Sequence, residues 1–186
     1  VVRGASYSKQ PSRPFRSANI ARVIHGGLRP SPGTPVTGTD LGLYSVTFNN
    51  DLDHDYASLE AFTAFREDAA RNGFKYFLEV FNPNVDSKID PEQIPFYVND
   101  CLMRCIAGVT KADRPQFLKI PFNGPKALDE LASYDPSVIV GVLGGGAGTT
   151  RDCFELINQS EKYGARVALF GRKINNAECQ LAFVEF

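Results

Sequence analysis

Apolar residues along the chain form short, nearly continuous runs, separated by longer stretches where they return every three or four positions. The runs are IARVIH (20–25), LYSVTFN (43–49), KYFLEVF (75–81), FLKIPF (117–122), SVIVGVLGG (137–145) and RVALFG (166–171), and each predicts a strand. The helical period is clearest over 55–71, where Tyr56, Leu59, Phe62, Phe65 and Ala69 share a face and Asn72-Gly73 supplies the stop. A second helix is expected to start near Pro95, to bury Val98, Cys101, Leu102 and Cys105, and to end near Gly108. PKALDELASY predicts a short helix after the fourth run. Residues 150–163 predict another after the fifth, opened by Thr149 and Asp152 in the pattern of a capping box. Beyond the last run, NNAECQLAFVEF reads as a further helix that the chain end interrupts.

Strands alternating with helices indicate βα units and a parallel sheet. The runs are apolar throughout rather than alternating, as expected where helices cover a parallel sheet. Six strands and five helices are expected, with no internal repeat. Glycine-rich signals close the last two strands, which is where a (β/α)8 barrel places its phosphate site. The expected fold class is therefore α/β, a (β/α)8 TIM barrel with about six of its eight strands; a doubly wound open sheet is the alternative. The two missing strands would precede Val1, and the chain is expected to be a piece of a longer protein.

Composition narrows the function classes. With 186 residues, 43% of them hydrophobic, the chain is long enough for one domain (1–186) with a sizeable core. A net charge of −1 gives no electrostatic case for nucleic acid or an anionic membrane as partner. No apolar run approaches the ~20 residues that span a bilayer. The N-terminal VVRGASYSKQ lacks a signal-peptide core, so a cytoplasmic location is expected. Cys101, Cys105, Cys153 and Cys179 follow no zinc-ribbon or CxxC spacing, which fits a reducing compartment and core packing for the first two.

Against this background one residue stands out. Lys119 lies in the middle of FLKIPF, sharing its face with Phe117 and Pro121, while Leu118, Ile120 and Phe122 point the other way. Lysine is depleted in strands and rarely buried without a partner. In a barrel the aliphatic face would pack on helices and leave Lys119 in the interior. There, partial desolvation would lower the pKa of the amine and favour its neutral, nucleophilic form. A neutral amine attacking a carbonyl gives a carbinolamine and then an iminium, an electron sink for C–C cleavage. A lysine that snorkels outward or pairs with a carboxylate is the competing arrangement.

Glu79, in FLEVF, shares parity with Phe77 and Phe81, and suits either proton transfer or a simple ion pair with Lys119. Gly144, Gly145 and Gly146, with Gly148, close one strand and open a helix, and Gly171-Arg172 closes the next. Glycines there let backbone N–H groups approach an anion, and Arg172 would add a charge-assisted contact to phosphate. GGGAG fits neither GxGxxG nor a P-loop, and a plain tight turn is the competing reading of each motif alone. Asp51, Asp53, His54 and Asp55 carry metal-ligating types, but a solvated loop and helix cap is the commoner arrangement, and no metal is assigned.

Three segments, LKIPFNGPKALDEL, VGVLGGGAGTTRDCFELI and ALFGRKINNAE, together resemble the archaeal-type class I fructose-bisphosphate aldolases and the related deoxyribose-phosphate and tagatose-bisphosphate aldolase group. The resemblance covers about residues 75–186, and residues 1–74 only by architecture. In that family a strand like VKTYYTGD carries the Schiff-base lysine, which falls on Lys119. The family's AGGPK turn falls on Leu143 to Ala147, and its VGRNIFQ segment on Phe170 to Asn175. The resemblance thus implies a metal-independent, cofactor-free aldolase acting on a phosphorylated sugar or keto-phosphate. Lys119 and Glu79 would be catalytic; Gly144, Gly145, Gly171 and Arg172 would hold phosphate. It also leads to the expectation of a homo-oligomer. One departure is notable: where the family's WMYPRG strand supplies a tyrosine for proton transfer, this chain has Phe81. The family's first-strand aspartate would lie before Val1. A phosphate-binding synthase or isomerase barrel, or a non-catalytic metabolite-binding relative, is the alternative function.

Overall fold

The computed structural model describes residues 9–27, 31, 33–144 and 148–186. The chain divides into two compact units, Val1–Gln116 and Phe117–Phe186. The fold class is α/β, with five parallel strands among the described residues.

The first unit holds helix α1 (Ile20–His25), strand β1 (Leu41–Thr47), helix α2 (Leu52–Arg71), strand β2 (Lys75–Phe81) and helix α3 (Ile94–Ala107). The run expected as a strand at 20–25 is α1. Asn19 caps it by accepting from the Arg22 N–H, and Gly26 closes it in the left-handed region at φ 74°. Its two buried residues, Ile20 and Ile24, are four apart, one helical turn. The strand count is therefore five rather than six among the described residues, because local caps at both ends outweigh β-branched composition over so short a run.

Strands β1 and β2 pair in parallel, Tyr44 opposite Leu78 and Ser45 opposite Glu79. Tyr44, Val46, Tyr76, Leu78 and Val80 are buried, and with Phe62 and Phe65 of α2 they make an aromatic core. The Tyr44 ring stacks on Phe65 at 4.3 Å, and Tyr76 meets Phe65 edge-on at 5.2 Å. The buried face of α2 is Ser58, Phe62, Phe65 and Ala69. Tyr56 and Leu59, expected on that face, are exposed, since the helix starts earlier than the apolar period predicts. Helix α3 has Pro95 in its first turn and ends before Gly108, as expected, and buries Val98, Asn99, Leu102 and Ile106. Cys101 and Cys105 are only half-buried on its flank.

The second unit holds strand β3 (Leu118–Ile120), helix α4 (Pro125–Tyr134), strand β4 (Val140–Leu143), helix α5 (Thr150–Lys162), strand β5 (Val167–Leu169), and helices α6 (Gly171–Asn175) and α7 (Gln180–Glu185). The strands are parallel and neighbour one another in chain order, with Lys119 opposite Gly141 and Gly141 opposite Val167. They are shorter than their apolar runs. Pro121 removes a ladder donor directly after β3, and glycine follows β4. Leu118, Ile120, Val140 and Val142 are buried, as are Ala127, Leu128, Leu131 and Cys153 of α4 and α5. The last apolar stretch is not one helix. It breaks after Asn175, where the Asn176 N–H bonds back to Arg172 and Ile174, and resumes as α7. Phe183 then stacks on Phe154 at 5.4 Å. Among the described residues, no helix is long and apolar enough to cross a membrane.

Candidate functional site

In the second unit, alternation places Leu118 and Ile120 on the buried face of β3 and leaves Lys119 half-buried on the other. The residue opposite it in β4, Gly141, carries no side chain on that face. The glycine admits close neighbours on both sides: the Leu118 carbonyl from β3, and Val167 and Leu169 from β5. The lysine therefore stands beside the one position of the β4 ladder that presents bare backbone.

The two glycine turns follow directly. Gly144 ends β4 with its Cα against the ring of Phe170, and Phe170 ends β5 immediately before Gly171 opens α6. Gly148 takes φ 102°, a conformation that favours glycine, and leads into the cap of α5. The expected capping box is present: the Asp152 N–H donates to Thr149 Oγ1 at 3.2 Å, and the Thr149 N–H donates to Asp152 Oδ2 at 2.6 Å. Those bonds hold the Asp152 carboxyl below the usual carboxylate range, the Thr149 N–H contributing most.

Lys173 donates from Nζ to the Gly148 carbonyl, tying α6 to the turn after β4. Arg172, the cation expected at this place, is exposed on α6, and the half-buried cation reaching the first turn is Lys173. Of the predicted phosphate residues, Gly144, Gly171 and Arg172 thus lie on neighbouring turns. Gly145 lies outside the described residues.

In the first unit, Glu79 sits mid-β2, 6% exposed, on the face away from the aromatic core. Its partner across the ladder is Ser45, whose hydroxyl donates to Glu79 Oε2 at 2.8 Å. Leu41, Leu43, Ser45 and Thr47 share that face of β1, so the strand changes from aliphatic to hydroxyl-bearing towards its C-terminal end. Open α/β sheets bind ligands outside that end of their strands. Ser45 also lines a cavity of about 490 Å³ along β1, together with Arg13, Thr39, Thr47, Phe65 and Phe81. Phe81 is 39% exposed and offers no ionisable group.

The acidic loop after β1 is a cap and a network. Asp51 caps α2 by accepting from the His54 N–H, and it also meets His54 Nδ1 at 2.7 Å. The side-chain bond to His54 is the main cause of its lowered pKa. Asp55 accepts from the Asn49 N–H at 2.9 Å, and the Asn50 N–H donates to Tyr97 Oη at 2.8 Å. These carboxylates thus serve the start of α2. Among the described residues, no group of three or more metal-ligating side chains converges.

Ser45, Gly141 and Lys173 have places in this arrangement that sequence reading passed over. The signals were present but weak: a serine at the parity of Glu79, a glycine inside an aliphatic run, and a second cation after Arg172. Each gains meaning only from the strand register. No protein-family model matches the chain, and no curated protein matches it either.

Proposed function

We propose that the protein is a class I aldolase of (β/α)8 type that makes or breaks a C–C bond in a phosphorylated sugar or keto-phosphate. The observation that carries this reading is Lys119: a half-buried amine in the middle of a parallel strand, beside a glycine, in the unit that also holds two adjoining glycine turns. In this reading the Lys119 amine adds to the substrate carbonyl, and the carbinolamine loses water to give an iminium. The C–C bond then breaks with its electron pair moving into the iminium, leaving an enamine and releasing an aldehyde. Protonation of the enamine carbon and hydrolysis return the free amine and the second product.

Glu79 is the candidate acid/base for the proton steps, in place of the tyrosine that Phe81 replaces. The turns at Gly144 and Gly171 are the candidate phosphate site, with Arg172 or Lys173 as its cation. No metal or cofactor has a role in this scheme. The chain would act as a homo-oligomer in the cytoplasm.

The substitution Lys119→Met tests the assignment. Cleavage of keto-phosphates should fall below detection with the fold intact by circular dichroism. Turnover at the wild-type rate would remove Lys119 from the chemistry. A second reading, a relative that binds a phosphorylated metabolite without cleaving it, is favoured by Phe81 alone. It predicts phosphate-ester binding with no covalent adduct.

A further inference from the structure

We infer that Ser45 is a positioning residue for Glu79, holding its carboxylate in the orientation from which it exchanges a proton with the substrate. The inference rests on the reading of Glu79 as acid/base, and extends it to a residue on the neighbouring strand. Three observations carry it. Ser45 and Glu79 are register partners in the β1–β2 ladder, so the two side chains rise from one face at the closest cross-strand spacing. The Ser45 hydroxyl donates to Glu79 Oε2 at 2.8 Å, which spends its single proton on the carboxylate. Finally, Glu79 is 6% exposed, so solvent contributes little to fixing it.

A glutamate's terminal torsion is broad and roughly two-fold, so a carboxylate with no directional partner samples both oxygens at any given position. One hydroxyl bound to Oε2 breaks that equivalence. Ser45 also lines the cavity along β1, so its side chain stands at the boundary between the carboxylate and accessible space. Aliphatic residues occupy the same face two and four positions earlier, at Leu43 and Leu41. The hydroxyl appears at the register position where a carboxylate faces it.

The step that Ser45 would serve is exchange at the carbon next to the iminium. A proton leaves that carbon for the Glu79 carboxylate, its electron pair forms the enamine, and the reverse transfer from the carboxyl restores the C–H bond. The experiment uses the full chain with dihydroxyacetone phosphate in D2O. Loss of the exchangeable C–H signal is followed by proton NMR, and adduct formation on Lys119 by borohydride trapping and peptide mass.

Glu79→Gln should slow exchange by about 100-fold or more while trapping persists. Ser45→Ala should slow exchange about tenfold with trapping unchanged, and Ser45→Thr, which keeps a hydroxyl, should recover to within about threefold of wild type. If Ser45→Ala exchanges at the wild-type rate while Glu79→Gln does not, the positioning role is wrong and the assignment of Glu79 stands. If Ser45→Ala loses trapping and exchange in equal measure, the hydroxyl serves the fold only, and the inference is likewise overturned. Wild-type exchange in Glu79→Gln overturns the assignment of Glu79 and this inference with it.

Discussion

Lys119 faces Gly141 across the β3–β4 ladder, and a methyl group on that glycine would lie 2.8 Å from the Leu118 carbonyl oxygen. It would also lie 3.1 Å from both Val167 Cβ and Leu169 Cδ1. The nearest obstacle is backbone and cannot swing away. Gly141→Ala should therefore destabilise the protein by about 1–3 kcal/mol, the usual cost of overpacking. Urea unfolding checks this, with the slope unchanged and the midpoint lowered.

The buried pair in the first unit predicts a different pattern. Ser45→Ala deprives the Glu79 carboxylate of a charge-assisted donor at a site with little solvent, costing about 1.5–3 kcal/mol. The double variant Ser45→Ala/Glu79→Leu, which removes both polar groups, should lose less than the two single effects combined. A double-mutant cycle by thermal or urea unfolding measures the coupling. Strict additivity would show that the hydrogen bond contributes nothing.

The capping box gives a pH dependence with a definite sign. Thr149 holds the Asp152 carboxyl below its ordinary range, so the folded-state pKa is lower than the unfolded one. Such a group adds stability that is present above the unfolded value near 4 and is lost as pH falls through the folded value. Thr149→Ala should lower stability by about 1 kcal/mol at pH 7. The difference from wild type should narrow below about pH 4, where Asp152 becomes protonated in either protein. Melts of the two proteins at pH 7 and pH 3 test this directly.

The cysteines should separate by environment. Burial pushes the Cys105 thiol up to about 11, only partly opposed by Arg66, and burial also raises Cys101 and Cys153. Cys179 is exposed. Iodoacetamide at pH 8 should label Cys179 first and reach Cys105 and Cys153 only when denaturant is added, as thiolate fraction and access both require. Peptide mass mapping over time gives the order.

Much of the second unit was legible in the sequence. The capping box at Thr149 and Asp152, the orientation of Lys119 and the adjacency of the glycine turns all follow from local rules, period two in a strand and caps at a helix start. The errors have physical causes. Ile20 to His25 looked like a strand because isoleucine and valine dominate it, yet two caps six residues apart decide for helix. Arg172 looked like the anchor of the second turn because its guanidinium suits phosphate, whereas the tight start of α6 leaves it exposed and brings Lys173 to Gly148. Ser45 was invisible as a partner because register between strands 34 residues apart is a tertiary property.

The central claim is that Lys119 is the nucleophile. Its most direct test is borohydride reduction of the full chain mixed with dihydroxyacetone phosphate, followed by proteolysis and peptide mass mapping. The expected result is one reduced adduct on the peptide holding Lys119, absent without the keto-phosphate and absent in Lys119→Met. An unmodified Lys119 peptide, or an adduct confined to another lysine such as Lys126 or Lys173, would contradict it.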